Sequence, residues 1–174
     1  FAEIGNRGVD VWDGDPEGVY VPTATGAQIT ARTDTETFIA GAQFAETLTP
    51  FAVRSAELDL VQYGSDDTKT HRKIKHILGA GPHDRVGRLL VSELFTVGAG
   101  GWSGFPSHKH DTDRLPDETR HDECYNFRFK PNYGSGLQML QRVDNAPGDA
   151  YHIMDGSTVL IDKGYHPCCA LPGY

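Results

Sequence analysis

A chain of 174 residues, 38% hydrophobic and 23% charged, can bury a core as one large domain or two small ones. Its 24 acidic residues outnumber 16 basic ones for a net charge of −8, and without a Lys/Arg block nucleic acid is excluded as an expected partner. Apolar runs as short as Leu89-Leu90-Val91 leave no candidate membrane-spanning helix. Nothing resembles a secretion signal, so a soluble, cytoplasmic protein is expected, and Phe1 in the first position is read as a missing start.

Glycine and proline recur every eight to twelve residues, with short runs rich in β-branched and aromatic residues between them. In chain order these predict strands at Gly18–Val21, Gln28–Thr33, Thr37–Ile39, Glu57–Tyr63, Leu89–Val97, Glu123–Phe129, Leu137–Val143 and Thr158–Ile161. No long window keeps a 3.6-residue apolar period, so the predicted class is all-β, a sandwich or barrel. Residues Gly79–Asp84 form a break that divides the chain into halves 1–80 and 81–174, each the length of a small β-barrel, without a letter-level repeat between them. The charged stretch Asp111–Asp122 is predicted to be a loop, either a solvated linker or a lid over a pocket. Cys124, Cys168 and Cys169 lack zinc-finger spacing and are expected to be reduced thiols in strands.

Four residues form a candidate chemical constellation. His108 and His110 stand two apart, a spacing that puts both imidazoles on one face of extended backbone. Glu123 opens the next predicted strand and offers a carboxylate. His166 follows a segment bounded by Gly156 and Gly164, glycines that permit the tight corners of a small barrel. Three imidazoles and one carboxylate suit zinc, manganese, iron, cobalt or nickel as divalent ions. The order H-x-H, then Glu, then G-x₇-G-x-H is the metal pattern of cupins, although His110 and Glu123 lie thirteen residues apart, further than in the common cupin motif.

From Gly101 onward, GWSGFPSHKHDTDRLPDE, ECYNFRF, LQRV and DGSTVLIDKGYHPCCALPGY resemble the 5-deoxy-glucuronate isomerases of inositol degradation, relatives of the 4-deoxy-5-keto-uronate isomerases. FAEIGNRG, DGDPEGVYVP, THRKIKHIL and RLLVSELFTVGAGGWS extend the resemblance through the N-terminal half. That family carries a similar charged insertion between its H-x-H and its Glu. The resemblance implies a bicupin of double-stranded β-helix (jelly-roll) type. Its N-terminal barrel would be degenerate, and its C-terminal barrel would hold one ion, zinc or manganese foremost, through His108, His110, Glu123 and His166.

The implied reaction is an aldose–ketose isomerisation of 5-deoxy-glucuronate to 2-deoxy-5-keto-gluconate. Asp162 departs from the family, which usually has Pro there; the Gly136–Gln141 stretch is one residue longer, and relatives continue past Tyr174 with a closing strand. Tyr125, in phase with Glu123, is the candidate general base, and Arg142 the candidate clamp on a small anionic sugar acid. Lys109 is expected to point away from the two histidines, and Arg128 is out of phase with Glu123. A related uronate isomerase, a cupin dioxygenase and a non-catalytic sugar-binding cupin are the competing expectations, and a homo-oligomer is left open.

Overall fold

The computed structural model describes residues 2–80 and 85–174, so residues 81–84 of the expected break lie outside the described residues. The described chain is all-β, and apart from a 3₁₀ turn at Ser55–Glu57 it carries no helix. None of its segments is a helix long and apolar enough to cross a membrane. Two compact units interleave along the sequence: residues 1–61 with 74–94, and residues 62–73 with 95–174.

In the first unit, β1 (Gly18–Tyr20) pairs antiparallel with β2 (Phe51–Val53). Tyr20, Val53, Leu78 and Val86 form its core, with Phe51, Ile77 and Leu89 among the side chains packed against it. The Tyr20 and Phe51 rings lie 5.4 Å apart, within aromatic contact range. The strands expected at Gln28–Thr33 and Thr37–Ile39 do not form. Ile29, Phe38 and Ile39 stay exposed, and strand propensity without a partner to pack against stabilises little.

A three-stranded sheet follows in the order β3 (Val61–Tyr63), β4 (Arg72–Leu78), β5 (Val91–Thr96); the division between the units falls within these strands. In the second unit, β6 (Trp102–Ser103), β8 (Ser135–Leu140), β9 (Asp149–Met154) and β11 (Cys168–Ala170) form a sheet in the order β6-β11-β8-β9. A second pair joins β7 (Glu123–Asn126) to β10 (Thr158–Ile161), with Glu123 opposite Ile161 and Tyr125 opposite Val159.

Period-2 alternation sorts these strands into two faces. Gly136, Gln138 and Leu140 turn inward from β8, while Met139 between them is exposed. Cys168 stands opposite both Ser103 and Gln138, and all three are buried. The cysteines are free thiols in strands, as expected, and burial pushes the Cys168 thiol up to about 12.

Candidate metal centre

His108 and His110 lie just beyond β6 and not within a named strand, yet the alternation expected of extended backbone holds. Their rings sit 5.0 Å apart, and His108 meets His166 edge-on at 4.9 Å. Lys109 goes the other way, its Nζ 2.8 Å from Asp144 and over the Tyr165 ring.

His166 is placed by the corner after β10. Gly164 there has φ +97°, and a Cβ on it would stand 2.4 Å from the Gln141 carbonyl oxygen, so only glycine fits. The backbones of Gln141 and Tyr165 bond to each other in both directions beside that corner, at 2.9 and 3.0 Å. The buried Gln138 donates its Nε2–H to the His166 carbonyl at 2.8 Å. The imidazole is thereby fixed from both sides of the chain.

Each of the three rings has its Nδ1 engaged by an oxygen. His108 Nδ1 lies 2.8 Å from the Pro106 carbonyl, His166 Nδ1 2.9 Å from the Gly164 carbonyl, and His110 Nδ1 2.5 Å from Glu118 Oε1. These oxygens only accept, so Nδ1 carries the proton and each Nε2 is left as a lone-pair donor. That is how metal-binding histidines are oriented in general.

Ligand atoms of His108, His110 and His166 all lie within 4.8 Å of one another, as do those of His110, His121 and Glu123. Glu123 Oε1 is 3.2 Å from His166 Nε2 and 3.9 Å from His110 Nε2. Burial first, then the neighbouring His166 and His110, push His108 below its ordinary value against the pull of the Pro106 carbonyl, which favours the neutral ligand form. His166 Nε2 is buried without a hydrogen-bond partner. An unpaired buried polar atom costs about 1–3 kcal/mol, so the cluster as it stands fits a divalent ion. The His/Glu group is therefore a candidate metal-binding site.

The pattern that defines the KduI/IolB family matches residues 1–174. The chain belongs to the KduI/IolB family. It is 34% identical over 176 residues to a 5-deoxy-glucuronate isomerase from Geobacillus kaustophilus (strain HTA426), covering 100% of this chain and 61% of that protein. It is 27% identical over 175 residues to the protein of that name from Bacillus subtilis (strain 168), covering 100% of this chain and 63% of the other. The chain thus spans about three fifths of the length of these curated relatives. Among solved structures, an IolB-like protein from Salmonella typhimurium LT2 superposes with a TM-score of 0.65 at 32% identity, over 75% of this chain and 48% of that one.

The other two residues singled out from this KduI/IolB sequence stand differently. Tyr125 lies inward, its ring 5.9 Å from that of His166. Burial, followed by the neighbouring Glu123 carboxylate, raises its phenol well above the ordinary value, so it stays protonated. Arg142 donates from Nε to Asp162 at 3.1 Å and lies 3.6 Å from Asp149, engaged by two exposed carboxylates.

Two residues of the charged insertion were not anticipated. Glu118 reaches back to His110, whose ring, followed by Arg114 and His121, holds the Glu118 carboxyl below its ordinary value. His121 stacks on His110 with ring centroids 4.4 Å apart and engages the Thr119 carbonyl through its own Nδ1. A signal for His121 was available: it stands two before Glu123, the same parity that pairs His108 with His110. No local pattern marks Glu118 among the five carboxylates of Asp111–Asp122.

Proposed function

We propose that this chain carries the metal site of an aldose–ketose isomerase that converts 5-deoxy-glucuronate to 2-deoxy-5-keto-gluconate in myo-inositol catabolism. The observation that carries the proposal is the gathering of three Nδ1-anchored imidazoles, their ligand atoms within 4.8 Å of one another, with the Glu123 carboxylate 3.2 Å from one of them. The names of the relatives from Geobacillus and Bacillus supply the substrate. In this reading His108, His110, Glu123 and His166 hold one ion, zinc or manganese by preference. A divalent ion there supplies a Lewis acid for the negative charge that develops on oxygen as the enediolate forms.

The chain's own residues do the rest. Tyr125, protonated and beside Glu123, acts as a proton donor toward the substrate's oxygen. Arg142 grips the substrate carboxylate once it exchanges Asp162 and Asp149 for it. Each β-unit is read as a cupin barrel. The first is degenerate for want of an H-x-H.

The test is an NMR assay in D₂O without oxygen, on the full chain loaded with zinc or manganese. Conversion with solvent deuterium at the carbon that gains the proton is expected. Turnover that needs iron and consumes oxygen would replace the isomerase with a dioxygenase, and tight sugar-acid binding without turnover would replace it with a binding protein. Arg142→Ala is expected to lower kcat/KM about ten- to a hundred-fold, the worth of one charge-assisted bond. An unchanged kcat/KM would remove Arg142 from the site.

A further inference from the structure

Within the second unit, three buried side-chain atoms lack a hydrogen-bond partner: His166 Nε2, Gln138 Oε1 and Arg72 Nε. The metal centre accounts for the first. Arg72, the opening residue of β4, is the unexplained cation.

Every other arginine of that unit is committed to a carboxylate. Arg114 lies 3.9 Å from Glu118, Arg120 3.0 Å from Asp122, Arg128 3.7 Å from Asp155, and Arg142 3.1 Å from Asp162. Arg72 has no ion-pair partner among the described residues; its Nη2 donates to the Phe105 carbonyl at 3.2 Å. The next carbonyl along the chain, that of Pro106, is the one that anchors His108 Nδ1. The guanidinium therefore sits one peptide away from the support of a candidate ligand.

Backbone bonds hold the start of β4 in place, with Val97 N on the His71 carbonyl at 2.8 Å and Trp102 N on the Lys69 carbonyl at 2.7 Å. Arg72 is also near enough to Tyr125 and Cys168 for its charge to oppose the burial-driven rise of both groups. Tyr125 in turn packs on His166. A half-buried guanidinium with an unused donor, in a protein of net charge −8, lacks an anion.

We propose that Arg72 is a specificity-determining residue whose guanidinium binds the carboxylate of the sugar-acid substrate at the end remote from the reacting carbons. The inference rests on the isomerase reading for the substrate's identity. Arg72 and Arg142 share that one carboxylate, Arg72 through a donor that is already unused and Arg142 once it has left Asp162 and Asp149. An arginine supplies both the charge and directed N–H donors, which an aldose without a carboxylate does not use.

The experiment compares zinc-loaded wild type, Arg72→Gln and Arg72→Lys in the full chain. Two substrates are used: 5-deoxy-glucuronate, and 5-deoxy-glucose, which lacks the carboxylate. Arg72→Gln should raise KM for the acid about ten- to a hundred-fold while kcat stays within a few-fold, with KM for the neutral sugar unchanged. Arg72→Lys should recover part of the loss. Equal changes for both sugars, or none for the acid, would overturn the proposal.

Zinc affinity of each variant checks that the site is intact. If Arg72→Gln loses zinc, Arg72→Lys decides: a KM for the acid raised at least about threefold with zinc retained supports the proposal, and an unchanged KM defeats it. A wild type that fails to turn over 5-deoxy-glucuronate sinks the isomerase reading by itself. Arg72 is then judged on calorimetric binding of glucuronate: weaker binding in the variant sustains it, while equal or absent binding ends it.

Discussion

The bond between Glu118 and His110 makes the metal site depend on the charged insertion. Glu118 Oε1 lies 2.5 Å from His110 Nδ1, and both side chains are about a quarter exposed. Replacing Glu118 by Ala removes that nitrogen's partner among the described residues, so the ring is free to rotate and loses the carboxylate that raises its donor strength. Removing such a partner typically costs ten- to a hundred-fold in metal affinity. A charge-assisted hydrogen bond contributes a similar amount, and partial exposure argues for the lower half of the range. Glu118→Gln keeps an oxygen acceptor but not the charge, so its loss should be the smaller of the two. The assay is competition for zinc against a chelating dye at neutral pH, with circular dichroism to confirm that the strands persist. An Ala variant with wild-type zinc affinity and intact strands would refute the reasoning, as would a Gln variant weaker than Ala.

Two further outcomes follow from burial and charge. His166→Ala should abolish zinc binding at micromolar metal yet leave the β-sheet spectrum, because β8, β9 and β11 pair without it; retained zinc binding measured by metal analysis would contradict the site. Glu17, 3% exposed at its side chain, is raised by burial but held below its ordinary 4.5 by the N–H groups of Gly5, Asn6 and Ser55 and by Arg54. A depressed carboxyl contributes stability that is present above the unfolded value and lost as pH falls through the folded one. Glu17→Gln should therefore cost about 1–3 kcal/mol in denaturant melts at pH 7, with the gap closing below pH 4.5, and a gap independent of pH would count against it.

How much of this could be read beforehand differs between elements. Thr158–Ile161 matched residue for residue, because a β-branched run ends in glycines at both sides. The H-x-H parity needed only extended backbone and so survived the absence of a regular strand there. Glu123 was a harder case: it opens a predicted strand, but its distance of thirteen residues from His110 was explained only by the family's insertion. The longest strand, Arg72–Leu78, escaped because Lys73, Lys75 and His76 break up its apolar pattern, although Ile74 and Leu78 are buried. Gln28–Thr33 erred in the other direction, with propensity but one large apolar residue to bury. Glu118, His121 and Arg72 share a common reason for being missed. Each is an ordinary charged or polar residue locally, and only folding brings it to the histidines or leaves it without a counter-ion.

The choice between linker and lid for Asp111–Asp122 is better posed in terms of these bonds. His121 N donates to the His110 carbonyl at 3.0 Å, and Arg120 N to Asp113 Oδ1 at 2.7 Å. Asp111 Oδ2 accepts from Gly164 N at 3.1 Å, in the corner that places His166. The loop cannot swing out without withdrawing Glu118 from His110 and loosening that corner. Opening of the loop and weakening of the site are then one event, and linkage makes the effect reciprocal. If the closed loop improves zinc affinity ten- to a hundred-fold, saturating zinc must lower the open population by about the same factor. Amide hydrogen exchange at His121, whose N–H is bonded in the closed loop, should therefore slow about ten- to a hundred-fold on zinc saturation. The amide of the exposed Thr112, which donates no backbone hydrogen bond among the described residues, should change little and serves as the internal control. Equal exchange at His121 with and without zinc would show that the loop moves independently of the metal centre.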